Sequence, residues 1–217
     1  MNEKSVGVVW TLVAYGAACL VAAATAVGLH QAGLLPAEHT QLWAALVADI
    51  AATIAVFGFS AGTGNHSMYD PYWSLAPPLL LVHWAAQGGS FSASTLIWLA
   101  VVTVWSVRLT ANFYRGWPGI HRQDWRYDQL KEQTGRAFLL VSAGGIHLMP
   151  TLLVFAGTLP LYAMVTRPTP HDLGVLEVVA AVITAGFVAV EWWADEQLHA
   201  FVKARHPSGT ILSTGLW

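Results

Sequence analysis

Long uncharged stretches alternate with short polar ones along this chain. No charged residue occurs at positions 5–37, 71–107 or 137–166, and an apolar helix needs about 20 residues to cross a bilayer. The pattern predicts membrane helices at 6–29, 42–61, 74–88, 92–112, 138–165 and 174–202. We therefore expect an all-α, polytopic helical membrane protein with about six transmembrane helices, in which residues 1–217 form a single helical membrane domain.

The first predicted helix shares two features with a signal peptide, a charged start and the small-residue stretch VAAATA. We interpret it as a membrane span, because its apolar run is longer than the usual core of a signal peptide and further hydrophobic segments follow it. Between the third and fourth predicted helices, the run Gln87-Gly-Gly-Ser90 predicts a tight turn, since Gly and Ser favour turns.

Composition and charge agree with a membrane protein. The chain is 55% hydrophobic and 10% charged, whereas soluble domains carry about 25% charged residues. The net charge is −2, and the basic residues form no amphipathic run or tail, which argues against nucleic acid as a partner. The single cysteine, Cys19, can form no internal disulfide and is expected to behave as a small apolar residue.

The basic residues also predict an orientation, because cytoplasmic loops of membrane proteins carry most of the Lys and Arg. Suppose that the N-terminus is cytoplasmic and that an even number of helices cross the membrane before the 113–137 loop. Of the Lys and Arg residues in loops and at helix ends, only Arg167 then lies on the non-cytoplasmic side. The residues assigned to the cytoplasmic side are Lys4, Arg115, Arg122, Arg126, Lys131, Arg136, Lys203 and Arg205. We therefore expect this loop and the C-terminal end to face the cytoplasm.

Ionisable side chains inside a membrane helix cost about 2.5–3.5 kcal/mol or more, so each needs a partner or a function. In the last predicted helix, Glu191, Asp195 and His199 follow at intervals of four and share one face. Such a face can ligate a metal, hold a nucleotide or enter the interface with water. A metal site would need a second ligand cluster; His147 is a lone candidate and more typical of a hydrogen-bonded core histidine, so no metal is predicted.

An arginine stripe ends the fourth predicted helix, where Arg108, Asn112 and Arg115 lie on one face. Facing the acidic stripe of the last helix, it would satisfy both sets of charges by pairing. Alternatively, arginine suits bidentate contact with phosphate. The sequence leaves both interpretations open.

Two connectors carry most of the remaining polar and aromatic side chains. The run Asp124-Trp-Arg-Tyr127 places an arginine among rings, which suits a phosphate and a flat base but also an anchor at the membrane interface. The stretch NHSMYDPYW, at 65–73, either forms an aromatic interfacial turn or organises a proton donor above a lipid-sized pocket. Asp49, in the second predicted helix, is a further candidate for a buried charge.

Several nucleotide and metal motifs do not occur. The sequence contains no H-E-x-x-H, no phosphate-binding G-x-x-x-x-G-K and no G-x-G-x-x-G. A nucleotide would therefore bind without a Rossmann fold.

Four segments, MYDPYWS, RLTANFYRGW, QDWRY and ADEQLHAF, occur in this order between residue 65 and the C-terminus. Together they resemble the bacterial branch of the steroid 5-alpha-reductase-like family; the first two helices match it only in being apolar. Members are all-helical membrane enzymes that use NADPH to reduce a carbon–carbon double bond conjugated to a ketone in a sterol or other lipid. The resemblance implies hydride delivery to the β carbon, with an acidic side chain near the carbonyl oxygen.

By position, the resemblance implies two sets of site residues. The side that binds NADPH would comprise Arg108, Asn112, Arg115, Asp124, Arg126, Tyr127, Glu191, Asp195 and Gln197. The catalytic side, for a sterol-like or other lipid enone, would comprise Tyr69, Asp70 and Tyr72. A phenol hydrogen-bonded to the enone oxygen stabilises the enolate that forms as hydride arrives. The resemblance also implies a bacterial inner membrane, with the cofactor side facing the cytoplasm.

The resemblance stops before the family pattern is complete. In the family, a segment beginning G-L-W continues into an Arg-His-Pro-Asn-Tyr-x-Gly-Glu motif and further helices that complete the nucleotide site, whereas this sequence ends at Gly215-Leu216-Trp217. We expect missing C-terminal sequence, without which the chain would be inactive; a partner polypeptide that completes the site and a loss of catalysis are the alternatives. The run Arg205-His206-Pro207 lies too early to be the motif.

Two other functions remain open. A non-catalytic membrane subunit would pair its polar stripes with the helices of a partner, and the incomplete nucleotide motif favours it. A methyltransferase of the isoprenylcysteine type has a comparable helical layout and would bind S-adenosylmethionine in preference to NADPH; no residue of the sequence favours it.

Overall fold

A computed structural model describes residues 3–88, 91–167 and 173–217. Eight α-helices occur in these residues: α1 Glu3–Ala32, α2 Thr40–Thr63, α3 Tyr72–Gly88, α4 Ala93–Gly116, α5 Trp125–Thr134, α6 Phe138–Val141, α7 Met149–Val165 and α8 Val175–Lys203. The same residues contain no strand. The predicted all-α class is therefore confirmed.

Among the described residues, five helical segments are long and apolar enough to cross a membrane: α1, α2, α4, the run Trp125–Val165 that contains α5 to α7, and α8. This agrees with a polytopic helical membrane protein. The other predicted span, 74–88, lies in α3, whose 17 residues rise about 25 Å against a hydrocarbon core of about 30 Å. In the predicted turn at 87–90, residues 89 and 90 lie outside the described residues.

The predicted span 138–165 is helical but not one regular α-helix. Residues Ser142–Leu148 form a π-helical segment between α6 and α7, and its centre is Gly144-Gly145, where the α-helix is weakly favoured. His147 in this segment is fully buried, and its Nε2 lies 3.3 Å from the Oγ of Ser60 on α2. The irregular segment thus packs a polar side chain against a neighbouring span.

One end of the bundle, called the loop end below, gathers the start of α1, the connector 64–71 and the ends of α4 and α8. Gly119 has a positive φ of 131° and lies against the backbone of Glu3, so a larger side chain has no room there. Asn65 donates a hydrogen bond to the carbonyl of Ile120 at 2.6 Å. Arg115, in the last turn of α4, forms an ion pair with α8.

The opposite end, called the far end, holds the turn between α1 and α2 and the last turns of α3 and α7. His39 Nδ1 lies 3.2 Å from the hydroxyl of Tyr162, and Gly88 lies close to the carbonyl oxygen of Val165. Chain direction therefore alternates through the bundle. The start of α1 and the end of α4 share one side, as the predicted orientation requires.

Small side chains bring α1 and α2 close together. Ala14 and Ala18 of α1 pack with Ala52 and Val56 of α2 in one buried cluster, since small residues allow helix backbones to approach in a membrane. A second buried cluster joins α2, α3 and α7 around Trp84. The space between these clusters is where the candidate site lies.

Candidate functional site

A large cavity lies between α1, α2 and α3. Its volume is about 620 Å³, within the range of about 300–1,000 Å³ that is usual for small-molecule sites. Val27 and Leu79 line it and are each 55% exposed, so the cavity opens sideways toward lipid. Most of the remaining wall is apolar: Ala18, Ala22, Ala23, Ala26, Ala45, Ala48, Ala52, Leu75, Ala76 and Leu80.

Toward the loop end, the cavity wall carries two phenols and a carboxyl group. The ring of Tyr72, at the start of α3, lies 5.7 Å from that of Tyr15, whose hydroxyl donates to the carbonyl of Met68 at 2.6 Å. Asp49 of α2 is 7% exposed, and its Oδ2 has no hydrogen-bond partner among the described residues. The wall of the cavity thus includes a residue with a buried carboxyl group.

Toward the far end, the wall becomes polar again. Gln41 lies in the first turn of α2 and His83 in the second half of α3. The Oε1 of Gln41 and the Nε2 of His83 are shielded from solvent and have no partner in the described part of the chain. The cavity is thus apolar in the middle and polar at both ends.

The three residues predicted for the substrate side lie in different surroundings. Tyr72 lines the cavity. Tyr69 is 1% exposed, and its hydroxyl lies 2.7 Å from the Oγ1 of Thr151 in the core. Asp70 accepts a hydrogen bond from the hydroxyl of Tyr127 at 2.5 Å, beside the loops. Of the three, the structure brings Tyr72 to the cavity, where its polar companion is Asp49.

Asp70 belongs to a cluster of loop residues at the loop end. Asp124 caps α5, since its Oδ1 accepts from the backbone N–H of Arg126 at 2.9 Å. The guanidinium of Arg126 donates twice to the same carboxylate, at 2.9 and 2.8 Å. The backbone N–H of Asp124 donates to the Oγ of Ser67 at 2.8 Å. These bonds tie the connector 64–71 to the start of α5.

The two carboxyl groups of this cluster have pKa values shifted in opposite directions. Burial raises the pKa of Asp70 from 3.8 to about 6; the hydrogen bond from Tyr127 opposes the shift, and the negative charge of Asp124 adds to it. The hydrogen bonds from Arg126 hold the pKa of Asp124 below its ordinary value. As the pH falls, Asp70 therefore takes up a proton before Asp124 does.

A second cavity, of about 340 Å³, lies between α4 and α8. The side chain of Arg108 is 7% exposed and pairs with Glu191 at 2.6 Å and with Asp195. Arg115 pairs with Glu196, and both of these side chains are about half exposed. The predicted arginine and acidic stripes thus face one another, and we call this region the α4–α8 cleft.

The other residues predicted for the cofactor side divide between the cleft and the loops. Asn112 lines the cleft, and its Oδ1 lies 2.5 Å from the Nε2 of His199. Gln197 accepts a hydrogen bond at 2.9 Å from the backbone N–H of Leu216. The members in the loop cluster are Asp124, Arg126 and Tyr127.

The side chains at the loop end are of the types that bind a phosphorylated nucleotide such as NADPH. Arginine donates two hydrogen bonds to a phosphate, and carboxylates accept hydrogen bonds from ribose hydroxyls. The side chains of Arg115 and Arg126 are 50% and 65% exposed. Exposed ion pairs contribute about 0–1 kcal/mol, so a phosphate can replace the carboxylate partner. Arg108, buried between two carboxylates, is suited instead to hold α4 against α8.

A buried polar network surrounds His147, which the sequence indicated to be a hydrogen-bonded core histidine; the other members, His66, Ser142 and Ser60, were not predicted. The Oγ of Ser142 lies 2.6 Å from the Nδ1 of His66, and His147 contacts Ser60. Ser60 is the centre of a G-x-S-x-G run at 58–62, but the run lies inside α2 with Ser60 fully buried, unlike the strand-to-helix turn that exposes a hydrolase nucleophile. Among the described residues, no group of three or more His, Cys, Asp or Glu is arranged to hold a metal.

The profile of a protein family described as "protein of unknown function (DUF1295)" matches residues 56–217. The match contains the connector 64–71, the loop cluster and the α4–α8 cleft. The chain belongs to the DUF1295 family. That family includes steroid 5-alpha-reductase-like proteins, which supports the resemblance at this level. Tyr72 and His83 lie inside the matched segment, and Asp49 precedes it.

A further relative is an uncharacterized protein from the yeast Schizosaccharomyces pombe, 24% identical over 157 residues. The match covers 70% of this chain and 45% of the yeast protein, so the chain spans less than half the length of that relative. No solved structure matches the chain significantly.

Proposed function

We propose that this DUF1295 protein is an NADPH-dependent membrane reductase of a conjugated carbon–carbon double bond in a sterol-like or other lipid enone. The observation that carries the proposal is the cavity between α1, α2 and α3, which opens toward lipid and is lined near its loop end by Tyr72 and by the buried residue Asp49. The α4–α8 cleft and the loop cluster, with their arginines, lie at the same end of the bundle. The steroid 5-alpha-reductase-like members of the family are compatible with this activity.

NADPH, when bound, would supply a hydride to the β carbon of the enone, and a proton added to the α carbon would complete the saturated ketone. The carbonyl oxygen of the substrate gains negative charge during such a reduction, and donors placed at that oxygen lower the barrier. The phenol of Tyr72 is suited to donate there, and the carboxyl group of Asp49 can donate in its protonated form. Both groups stand on rigid helices beside apolar walls, which exclude water.

On the cofactor side, the exposed residues Arg115 and Arg126 would bind phosphates. The carboxylates of the cleft would accept from ribose hydroxyls. Arg108, paired twice, would keep α4 and α8 in register. Each role follows from the exposure and the partners of the side chain.

The proposal is tested by NADPH titration and turnover with this chain and with a longer product of the same reading frame, each purified in detergent with lipid present and supplied with cholest-4-en-3-one. With the longer product we expect saturable NADPH binding and loss of the enone absorbance in step with NADPH oxidation. Tyr72→Phe should lower turnover about 100-fold, the size of effect typical of a lost oxyanion donor. Tyr162→Phe, which removes a buried hydroxyl outside the cavity, is the matched control and should leave turnover near wild type.

Tyr69→Phe distinguishes the role of Tyr69 from that of the neighbouring Tyr72. Because the hydroxyl of Tyr69 bonds Thr151 in the core, its loss should lower stability more than turnover. No saturable NADPH binding, by this chain or by a longer product of the same reading frame, would contradict the reductase and leave a non-catalytic membrane subunit. Binding of S-adenosylmethionine instead of NADPH would favour the methyltransferase.

A further inference from the structure

A single large side chain, that of Tyr15, lies on the buried face of α1. The buried residues of this helix are Gly7, Thr11, Ala14, Tyr15 and Ala18, and the small ones allow α1 to approach α2. Tyr15 is 9% exposed and lines the cavity beside Ala18. A phenol buried in a membrane span is costly unless its hydroxyl has a partner. The partner of Tyr15 therefore indicates what this side chain does.

The hydroxyl of Tyr15 is bonded within the chain. It donates to the carbonyl oxygen of Met68 at 2.6 Å, and Met68 is a fully buried member of the connector 64–71. A phenol has one proton to donate, so Tyr15 does not donate to a ligand in the cavity while this bond persists. The bond ties the ring of Tyr15 to the connector that leads into α3.

The ring of Tyr72 packs against two other tyrosine rings. Its centroid lies 5.7 Å from that of Tyr15 and 5.6 Å from that of Tyr69, both at tilted angles, within the range of favourable aromatic pairs. The hydroxyl of Tyr69 lies 2.7 Å from the Oγ1 of Thr151. Each ring that packs against Tyr72 is thus fixed by a hydrogen bond of its own.

Tyr72 depends on these rings because of its place in α3. In an α-helix, a side chain leans over the turn that precedes it. Tyr72 is the first residue of α3, so no preceding turn of that helix supports it. Contacts from other elements therefore set the direction of its ring, and Tyr15 supplies the contact from the cavity side of α1.

We propose that Tyr15 is a positioning residue, whose tethered ring holds the phenol of Tyr72 where it can donate to the carbonyl oxygen of the substrate. The inference rests on the proposed function for the role of Tyr72. Tyr15 acts through Tyr72 and gives no proton to the substrate. The proposal assigns a part in the site to α1, which precedes the segment 56–217 that the family profile matches.

A bound ketone reports the placement of Tyr72 in the absence of NADPH. Cholest-4-en-3-one labelled with carbon-13 at its carbonyl is bound to this chain in detergent, and the NMR resonance of the bound fraction is recorded. A hydrogen-bond donor at the oxygen moves this resonance to lower field. We expect the shift in the wild type, its loss in Tyr72→Phe and a smaller shift in Tyr15→Phe, which keeps the ring but not the tether. No binding, or a wild-type shift in Tyr15→Phe, would overturn the proposal.

A double-mutant cycle separates positioning from a general effect on structure. In the longer product, Tyr15→Phe should lower kcat about tenfold and leave KM within about twofold, because the apolar wall that binds the lipid is kept. With Tyr72→Phe already present, Tyr15→Phe should lower kcat no further, since no phenol remains to be placed. An equal loss of kcat in both backgrounds would contradict the proposal.

The matched control is Tyr162→Phe. Tyr162 is 8% exposed, close to the value for Tyr15, and its hydroxyl lies 3.2 Å from the Nδ1 of His39 at the far end. This variant should leave the carbonyl resonance and kcat near those of the wild type. A loss as large as that of Tyr15→Phe would show a general response to a missing hydroxyl, and the positioning role would fail.

The outcome for Tyr15 is separable from that of the reductase. If the carbonyl shift depends on both Tyr72 and Tyr15 but the longer product does not reduce the ketone with NADPH, the positioning of Tyr72 stands and the proposed reaction fails. If the ketone is reduced in a Tyr72-dependent way, and Tyr15→Phe changes neither the shift nor kcat, the reaction stands and the positioning role fails.

Discussion

The cavity between α1, α2 and α3 and the α4–α8 cleft place polar groups among apolar helices in opposite ways. In the cleft, the acidic side chains meet arginines, as Glu191 and Asp195 do with Arg108. In the cavity wall, the buried Oδ2 of Asp49 and Nε2 of His83 have no partner among the described residues; in the cleft, the Nε of Arg108 lacks one, although both of its terminal nitrogens are paired. Charged groups that pair inside a membrane protein are explained by helix packing, whereas a buried carboxyl group without a partner is a candidate for a function.

The predicted site residues differ in whether they are available to bind a ligand. The sequence left the arginine stripe open to pairing or to phosphate contact, and in the structure its buried member, Arg108, pairs with two carboxylates. The exposed Arg115 and Arg126 remain available to phosphate at low cost. The strongest sign of a ligand is instead the cavity, where the sequence had named Tyr72 and flagged Asp49 as a buried charge.

The largest effect is expected from Arg108→Met, because it removes the cation shared by two carboxylates. Breaking a buried ion pair on one side costs about 3–5 kcal/mol, and the half-exposed Glu191 places the expected loss of unfolding free energy near the lower limit, about 3 kcal/mol. The midpoint of unfolding in detergent measures it. Arg115→Met, at an exposed pair, is the matched control and should cost less than about 1 kcal/mol.

The triple variant Arg108→Met with Glu191→Gln and Asp195→Asn sharpens this result. It removes all three charges together, so most of the lost stability should return. An Arg108→Met variant as stable as the wild type would show that the cleft is not held by its ion pairs. The contrast with the cavity would then disappear.

An effect of intermediate size on the unfolding free energy, dependent on pH, is expected from Asp70. This residue is hydrogen-bonded to Tyr127 and lies outside both the cavity and the α4–α8 cleft. Its pKa is raised to about 6 by burial, so the native protein holds a proton that the unfolded chain has released. Its contribution to stability is fully present below pH 3.8 and is lost as the pH rises through 6. A shift of about two units corresponds to at most about 3 kcal/mol.

The matched variant for this effect is Asp70→Asn, which cannot titrate. The difference in unfolding free energy between wild type and variant should change between pH 4 and pH 7 and be constant above pH 7. Unfolding curves recorded across this range measure it. A difference independent of pH would contradict the burial of this carboxyl group.

The helices could be predicted from the sequence because hydrophobicity and length decide whether a segment spans a membrane. The gathering of each stripe on one helix face also follows from spacing, since residues four apart share a face, whereas the pairing of the two stripes was one of two interpretations that the sequence left open. Segment hydrophobicity and residue spacing are both local properties. The mid-span π-helical segment Ser142–Leu148 was not predicted, because it depends on how its polar side chains bond to α2 and the connector 64–71.

A lipid-sized pocket beside residues 65–73 was one interpretation of the sequence, but its walls could not be predicted, because they depend on which faces of α1, α2 and α3 meet. Tyr69 and Tyr72 show the difficulty. Tyr69 ends a short 3-10 turn, whereas Tyr72 begins α3; their rings lie 5.6 Å apart, but the two side chains differ in what else they contact. One bonds Thr151 in the core, and the other lines the cavity. Sequence spacing alone treats the two tyrosines as equivalent.

The smallest expected effect, of opposite sign, comes from Asp49→Leu in the cavity. A carboxyl oxygen buried without a partner costs free energy, so an apolar side chain there should raise the unfolding free energy by about 1 kcal/mol. Enone turnover should fall in the same variant, because the acidic group at the loop end is lost. Asp49→Asn keeps the size and polarity of the side chain and should change stability little while also lowering turnover. If Asp49→Leu instead destabilises the protein as Arg108→Met does, Asp49 has a structural partner and the two regions follow the same rule.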